Sequence, residues 1–482
     1  MKFKPVFHLI SYLMVVTGLA IWVCAGVAFH YGDPLPAFYA LLNGGAFGVF
    51  SGLLIAFLTR GPIELSRRAG FGVVTFGWLA VALVGSIPYL LSGVITDPVA
   101  AMFETVSGFT TTGASVLGNL ESVPKGILFW RAMTQWFGGM GVLVLCVAIL
   151  PFLGVGGMQL YRAEMPGPSK DRLTPRIATT AKLLWGLYVL MSLVQTLLLM
   201  AGGMDWFDAC CHTFTTMSTG GFSTRTASVA AFDSLYIDVV ITLFMFLAGV
   251  NFALHFRALR GAPWVFHKDP EFRVYTLVWL VSCLFISSNL WLSGTEQAGG
   301  AVRHGFFQAT SILTTTGFAT RDFNLWPHAS RLLLVLLMFI GGCGGSTAGG
   351  IKAARFFVVF KHIGREMGKV IRPQAIARIK LGRQALDEGV VANILTFVMI
   401  FFSVFAIMSF VMTFYTPDLE TATSAVVASL GNIGPGLGAV GAAETYAFIP
   451  APGKLVLIVC MLLGRLELYT ILVMFMPSFW RK

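Results

Sequence analysis

Four stretches of this 482-residue chain set hydroxyl or amide residues one or two positions before a glycine: Thr110-Thr111-Thr112-Gly113-Ala114-Ser115, Ser218-Thr219-Gly220-Gly221-Phe222-Ser223, Thr314-Thr315-Thr316-Gly317-Phe318-Ala319 and Gly431-Asn432-Ile433-Gly434-Pro435-Gly436. Glycine permits the positive φ that turns successive carbonyls to one side, and rings of backbone carbonyls can replace the hydration shell of a cation. Matching Gly221-Phe222-Ser223-Thr224-Arg225 to Gly317-Phe318-Ala319-Thr320-Arg321 fixes a common register. In that register Asp97, Asp205 and Asp418 stand sixteen positions before Gly113, Gly221 and Gly434, and Ala301 holds the same place before Gly317. An aspartate suits a helix N-cap. The dozen or so residues that follow it would cross only about half a bilayer at roughly 1.5 Å per residue, so they read as re-entrant pore helices. Non-helical backbone at membrane depth is tolerated only where protein or a water-filled cavity covers it, so the four endings should converge on one axis.

The elements that position these loops are membrane spans. The chain is 56% hydrophobic and 11% charged. Apolar runs of about bilayer length recur at 7–29, 36–58, 70–92, 127–152, 179–202, 234–256, 273–293, 331–360, 390–415 and 454–476. The first run is longer than a signal-peptide core and ends in no small-residue cleavage pattern, so it reads as a retained anchor. After the first two runs the others pair, with one loop-bearing segment between the members of each pair, which is a repeat architecture. The expected fold is an all-α polytopic membrane protein: a two-helix element (1–69), then four pseudo-symmetric helix–P-loop–helix repeats around one pore (70–177, 178–271, 272–388 and 389–482).

Charge sets the sidedness. With both termini cytoplasmic, the inside segments carry Arg60, Arg67, Arg68, Arg162, Lys170, Arg172, Arg176, Arg257, Arg260, Lys268, Arg273, Arg481 and Lys482, and the stretch from Lys352 to Arg383 is basic too. The outside segments carry mainly Lys125, Arg131, Arg225, Arg303, Arg321, Arg331 and Lys454, as the positive-inside rule asks. The net charge of +11 therefore marks topology, and with no basic cluster interleaved with aromatics it implies no nucleic-acid partner. The basic stretch 361–389 reads equally as a cytoplasmic docking segment or a solvated linker. Seven cysteines in apolar surroundings, without CxxC spacing, imply neither a disulfide framework nor a zinc site. No glycine-rich nucleotide motif and no cluster of acids or histidines at membrane depth is found, which disfavours a membrane enzyme and implies no bound cofactor. A lone histidine such as His212 reads better as a structural residue than as a proton relay.

Two further features bear on conduction. Six of the ten residues from Gly341 to Gly350 are glycine, at a cost of about 1 kcal/mol each in a helix, so the inner span of the third repeat should unwind there. Gly344-Gly345-Ser346-Thr347-Ala348-Gly349 then reads as a flexible gate beneath the loops. Arg465 lies mid-span, and Glu467, two positions on, faces another side of the helix, so it should not be its partner.

These residues resemble the potassium-translocating membrane subunits of bacterial Trk uptake systems, within the Trk/Ktr/HKT superfamily. The resemblance runs along essentially the whole chain and is most specific at Arg131–Gly141, Leu150–Pro168, Asp269–Arg273, Gly341–Gly350, Asn432–Gly438 and Gly464–Glu467. It implies potassium as the transported ion, a selectivity filter at Thr111-Thr112-Gly113, Thr219-Gly220-Gly221, Thr315-Thr316-Gly317 and Asn432-Ile433-Gly434, and potassium over sodium because Gly113 is not serine. It also implies an intramembrane gating loop at Gly344–Gly349, Arg465 close to the ion path, a homodimer in the inner membrane, and a cytoplasmic nucleotide-binding regulatory subunit of TrkA type. Proton-coupled symport by the same fold is the alternative mechanism.

Overall fold

The computed structural model describes residues 3–61, 66–148, 173–373, 378–382 and 384–480. The stretch Leu150–Pro168 and the basic residues Arg162, Lys170, Arg172, Arg383, Arg481 and Lys482 lie outside them. The described residues are overwhelmingly helical. The one sheet among them is a hairpin of two-residue strands, Lys380–Leu381 against Gln384–Ala385.

Helices Phe3–Tyr31 and Leu35–Leu58 form the N-terminal pair. Small residues let their backbones touch: a Cβ added at Gly18 would lie 2.6 Å from the Gly45 carbonyl, and one at Gly52 would lie 2.7 Å from the Ser11 carbonyl. The turn between them has a second task. Asp33 accepts hydrogen bonds from Lys125 N (3.1 Å) and Gly126 N (2.7 Å), satisfying two of the free N–H groups that open helix Lys125–Ala148.

Four units follow. Their outer helices are Arg67–Leu91, Leu173–Ala201, Pro270–Leu292 and Glu388–Met412. Their short helices are Pro98–Phe109, Trp206–Met217, Ala298–Leu313 and Leu419–Leu430. Asp97, Asp205 and Asp418 cap the first, second and fourth short helices through side-chain oxygens, as their spacing predicts. The third short helix has 16 residues where the others have 12, so it begins one turn earlier, and its N-cap residue Gln297 makes no capping bond. Ala301, at the register position of the three capping aspartates, lies inside this helix.

Lipid-facing surfaces expose Phe50, Phe57, Leu277, Met399 and Phe410, whereas the short helices bury Thr105, Ser107, Thr213, Thr215, Thr310, Ser311 and Ser429. Polar groups point inward and apolar ones outward, the arrangement a bilayer imposes. Six described helices are long and apolar enough to cross a membrane, or eight when each bent pair counts as one span.

The inner spans depart from the straight runs their hydropathy suggests. The expected span 234–256 is two helices, Leu235–Ala248 and Phe252–Leu259, meeting at 100°. The expected span 454–476 breaks after Arg465, and its halves meet at 110°. The expected span 331–360 is helical at His328–Ile340, irregular through the glycine-rich segment, and helical again from Ala353 to Ile371. Only this third break is announced by glycines. At the first, Asn251 starts the new helix by accepting from Ala253 N (2.9 Å). At the second, Glu467 takes φ +53°, which ends the helix without proline or glycine.

Candidate functional site

Each short helix delivers its Thr/Gly ending into the middle of the molecule, and all four endings share one unusual backbone. Thr111, Thr219, Thr315 and Asn432 have φ between 52° and 58°, and two residues on, Gly113, Gly221, Gly317 and Gly434 have φ between 74° and 98°. Left-handed backbone costs a non-glycine residue about 1–2 kcal/mol, so four such residues at one register position mark a shape the surroundings enforce.

The endings also interlock. A Cβ built on Gly113 would overlap the Gly220 carbonyl, one on Gly221 the Thr316 carbonyl, and one on Gly317 the Ile433 carbonyl. On Gly434 it would lie 2.7 Å from the Thr112 carbonyl, which returns the cycle to the first repeat. Each glycine thus abuts the carbonyl that precedes the next repeat's glycine, and the order closes as one, two, three, four, one. The twelve residues Thr111–Gly113, Thr219–Gly221, Thr315–Gly317 and Asn432–Gly434 are brought together as the register requires. Four equivalent peptide planes in a closed cycle have the geometry with which carbonyls can stand in for a cation's water, and the C-terminal ends of four helices add partial negative charge beside them.

Buried polar side chains hold this ring, and among them Glu104, Asp208 and Tyr446 were not singled out from the sequence. Glu104, fully buried on the first short helix, accepts from Arg131 Nε (2.6 Å), Ser115 Oγ (2.9 Å) and Val116 N (2.9 Å). Arg131 in turn donates to the Ser223 carbonyl (2.9 Å) and lies over the Phe222 ring. Arg131, one of the charges counted on the outside, is 3% exposed and braces the second ending from behind; a charge so deep is tolerable because its partners are complete. Lys454, also placed outside, is buried and donates to the Ala447 carbonyl (3.1 Å). Asp208 accepts from Thr224 Oγ1 and Arg225, both at 2.6 Å. His212 sets its Nδ1 against the Asp208 carbonyl (2.8 Å) and its Nε2 against Ser223 Oγ (3.0 Å), so it is a hydrogen-bonded structural residue. Tyr446 donates to the Gly434 carbonyl (2.7 Å). The presence of Arg131 and Glu104 within otherwise apolar or hydroxyl-rich segments was the available signal, since charges at membrane depth are rare.

The glycine-rich segment packs directly against the ring and the second repeat's break. Gly349 N donates to Thr315 Oγ1 (2.6 Å), Gly350 N to the Gly431 carbonyl (3.0 Å), and Thr347 Oγ1 to the carbonyls of Met217 (3.0 Å) and Ala248 (3.2 Å). Cys343 N donates to the Gly249 carbonyl (2.8 Å), and Gly344 N to Glu271 Oε1 (2.7 Å). The Gly345 carbonyl accepts from Phe252 N (3.1 Å), Ser346 Oγ folds back to Cys343 O (2.6 Å), and the Ala348 carbonyl accepts from Lys352 Nζ.

Arg465 is the last residue of its helix and 4% exposed. It donates to the Thr347 carbonyl (2.7 Å) of the glycine-rich segment and to the Gly138 carbonyl (3.3 Å) of the first repeat. Glu467 is no partner of Arg465, as the helix geometry predicts; it pairs with Arg355 (2.5 Å), just past the glycine-rich segment.

Fold and site together define a multi-pass membrane protein whose four pseudo-equivalent loop-bearing units close into one ring. The TrkH family model, described as cation transport protein, matches residues 40–482. The chain is 45% identical to the Trk system potassium uptake protein TrkH of Salmonella typhimurium and to that of Escherichia coli, each alignment covering 87% of both chains. It is 35% identical to the Escherichia coli Trk system potassium uptake protein TrkG over 88% of this chain and 87% of that one. Over the full length of both chains its structure matches the crystal structure of the potassium transporter TrkH from Vibrio parahaemolyticus, with a TM-score of 0.92 at 36% identity. The chain belongs to the TrkH family of cation transport proteins.

Proposed function

We propose that this protein takes up potassium ions across the bacterial inner membrane through the ring formed by Thr111–Gly113, Thr219–Gly221, Thr315–Gly317 and Asn432–Gly434. The observation that carries this reading is the closed cycle in which each repeat's glycine meets the next repeat's carbonyl. Potassium is the ion named for relatives nearly half identical to this chain, and it is the ion that Gly113 in the first ending favours. The four repeats are the functional units, and the N-terminal pair is an anchor that caps the first repeat's inner helix.

The segment Gly344–Gly349 acts as the gate, because it is irregular backbone bonded to the underside of two repeats of the ring. Arg465 adds a positive charge there and holds the gate closed through Thr347. Both termini face the cytoplasm. The protein works as a homodimer in the lipid bilayer, controlled by a cytoplasmic nucleotide-binding subunit of TrkA type and using no cofactor.

Purified protein in liposomes tests this reading. Under opposed potassium and proton gradients the reversal potential follows potassium alone if the ring is a passive pore. A potential that moves with the proton gradient identifies proton-coupled symport, and the absence of potassium flux refutes the reading.

A further inference from the structure

The second repeat lacks the device that steadies the ring in the first and third. In those two, the residue before the glycine is a threonine whose hydroxyl is held by the threonine two positions earlier: Thr112 by Thr110 (2.7 Å) and Thr316 by Thr314 (2.8 Å). Thr110 and Thr314 in turn donate to helix carbonyls, Val106 O (2.6 Å) and Thr310 O (2.8 Å). Each ring peptide is thereby tied back to its own short helix. In the second repeat the two positions are Ser218 and Gly220, so the pair cannot form.

The space is filled from elsewhere. Gln135, fully buried on the first repeat's inner helix, donates from Nε2 to the Gly220 carbonyl (2.7 Å) and accepts at Oε1 from Phe222 N (3.0 Å). Its two partners, a carbonyl and an N–H, fix which end of the amide is which. A Cβ built on Gly220 would run into this amide, so Gln135 occupies the volume a threonine side chain would need. Its Nε2 also lies 3.8 Å from where a Gly113 Cβ would be, at the junction of the first and second repeats.

We infer that Gln135 is a positioning residue for ion selectivity, standing in from the first repeat for the threonine pair that the second repeat has lost. The Gly220 carbonyl belongs to the ring cycle and Phe222 N lies just past it, so one side chain holds the second ending at two points. The inference rests on the ring being the ion path. Loss of Gln135 frees the second ending while leaving the other three held by their own contacts, so relative permeability changes before total flux does.

The test is liposome flux of Gln135→Met, which keeps the bulk of the side chain and removes both hydrogen bonds. Two lost bonds to the ring backbone should lower the potassium-to-sodium permeability ratio roughly five- to tenfold. The triple variant Q135A/S218T/G220T rebuilds the arrangement of repeats one and three and should bring the ratio back to within about twofold of the parent. A structural role alone would alter yield or stability and give no such rescue. A folded Gln135→Met protein with the parent's ratio overturns the inference. If that variant does not fold, a folded triple variant with lost selectivity overturns it and one with the parent's ratio supports it. Should both fail to fold, Gln135→Glu, which keeps the shape but not the donor to Gly220, is read by the same two outcomes. Gly317→Ala, remote from Gln135, separates the two levels: if it too leaves the ratio unchanged, the ring is not the ion path.

Discussion

The outer and inner halves of the four repeats obey different rules. In the outer half, three short helices have the same length, three carry the same aspartate cap, and all four endings repeat one backbone to within a few degrees at the first residue and about 24° at the glycine. In the inner half no two described helices match: one runs unbroken to Ala148, two bend by 100° and 110°, and one opens into a twelve-residue irregular stretch between Ile340 and Ala353. A ring that must surround a spherical ion from all sides constrains its four contributors alike. Beneath it nothing demands equivalence, and each of the described inner helices ends or breaks in its own way.

The sharpest way to break this comparison is to put a side chain into the ring. Gly113→Ser combines a strained φ of +84° with overlap of the Gly220 carbonyl, and it should abolish potassium selectivity. Gly434→Ala, where the nearest atom is 2.7 Å away, should do the least damage of the four glycines. Relative sodium and potassium permeability read in liposomes checks the order, and an unselective parent-like flux from Gly434→Ala with intact selectivity in Gly113→Ser would invert the assignment.

Next comes the gate. Deleting Gly344 to Ala348 should raise basal flux and uncouple it from the cytoplasmic subunit while leaving the permeability ratio alone. Regulated, unchanged flux from the deletion would show that the segment does not obstruct the path.

Arg465→Ala should act in the same direction but less, because it removes both a charge and the bond to Thr347. A unit charge about 8 Å from a cation at an effective dielectric near 20 contributes roughly 2 kcal/mol of repulsion. Flux per protein should therefore rise at unchanged selectivity, in a variant whose size-exclusion profile matches the parent. A folded variant with equal or lower flux assigns Arg465 to bracing alone, through the carbonyls of Thr347 and Gly138.

Glu467→Gln loosens the Arg355 pair one step further from the ring, and a several-fold rise in open probability is the expected reading in single-channel records. The smallest effect lies at the outer loops. The Thr226 hydroxyl, with Thr226 N, holds the Glu121 carboxyl below its usual value of 4.5. A lowered carboxyl pKa gives stability that is complete above the unfolded value and lost as pH falls through the folded one. Thermal stability should thus drop slightly below about pH 4.5 in the parent, and Thr226→Val, which keeps the backbone donor, should remove the hydroxyl's share of that dependence.

The register of the four endings was legible because glycine and the aspartate caps act locally: a cap bonds two or three residues on, and a glycine takes a positive φ at its own position more cheaply than any other residue. For the same reason the glycine-rich break of the third repeat could be read from Gly341 to Gly350. The bends at Gly249 and Glu467 could not, since neither site carries proline and apolar periodicity continues through both. The burial of Arg131 and Lys454 was not legible, because hydropathy does not tell a solvated charge near a span end from one buried with a partner, as each is here.

By itself the sequence determined a membrane protein of repeated spans, the four loop endings and their common spacing, and the segment that cannot stay helical. Only the tertiary structure decided the cyclic order of the ring, the support of Gly220 by Gln135, the union of Arg465 with Thr347, and the pairing of Glu467 with Arg355. The physical reason is reach. Caps, glycine backbone and hydropathy are satisfied within a few residues, while the contacts of Gln135, Arg465 and Glu467 join residues 85 to 118 positions apart and the ring closes between Gly434 and Thr112, at opposite ends of the chain; nothing in local composition says which distant carbonyl or carboxylate will complete a buried donor.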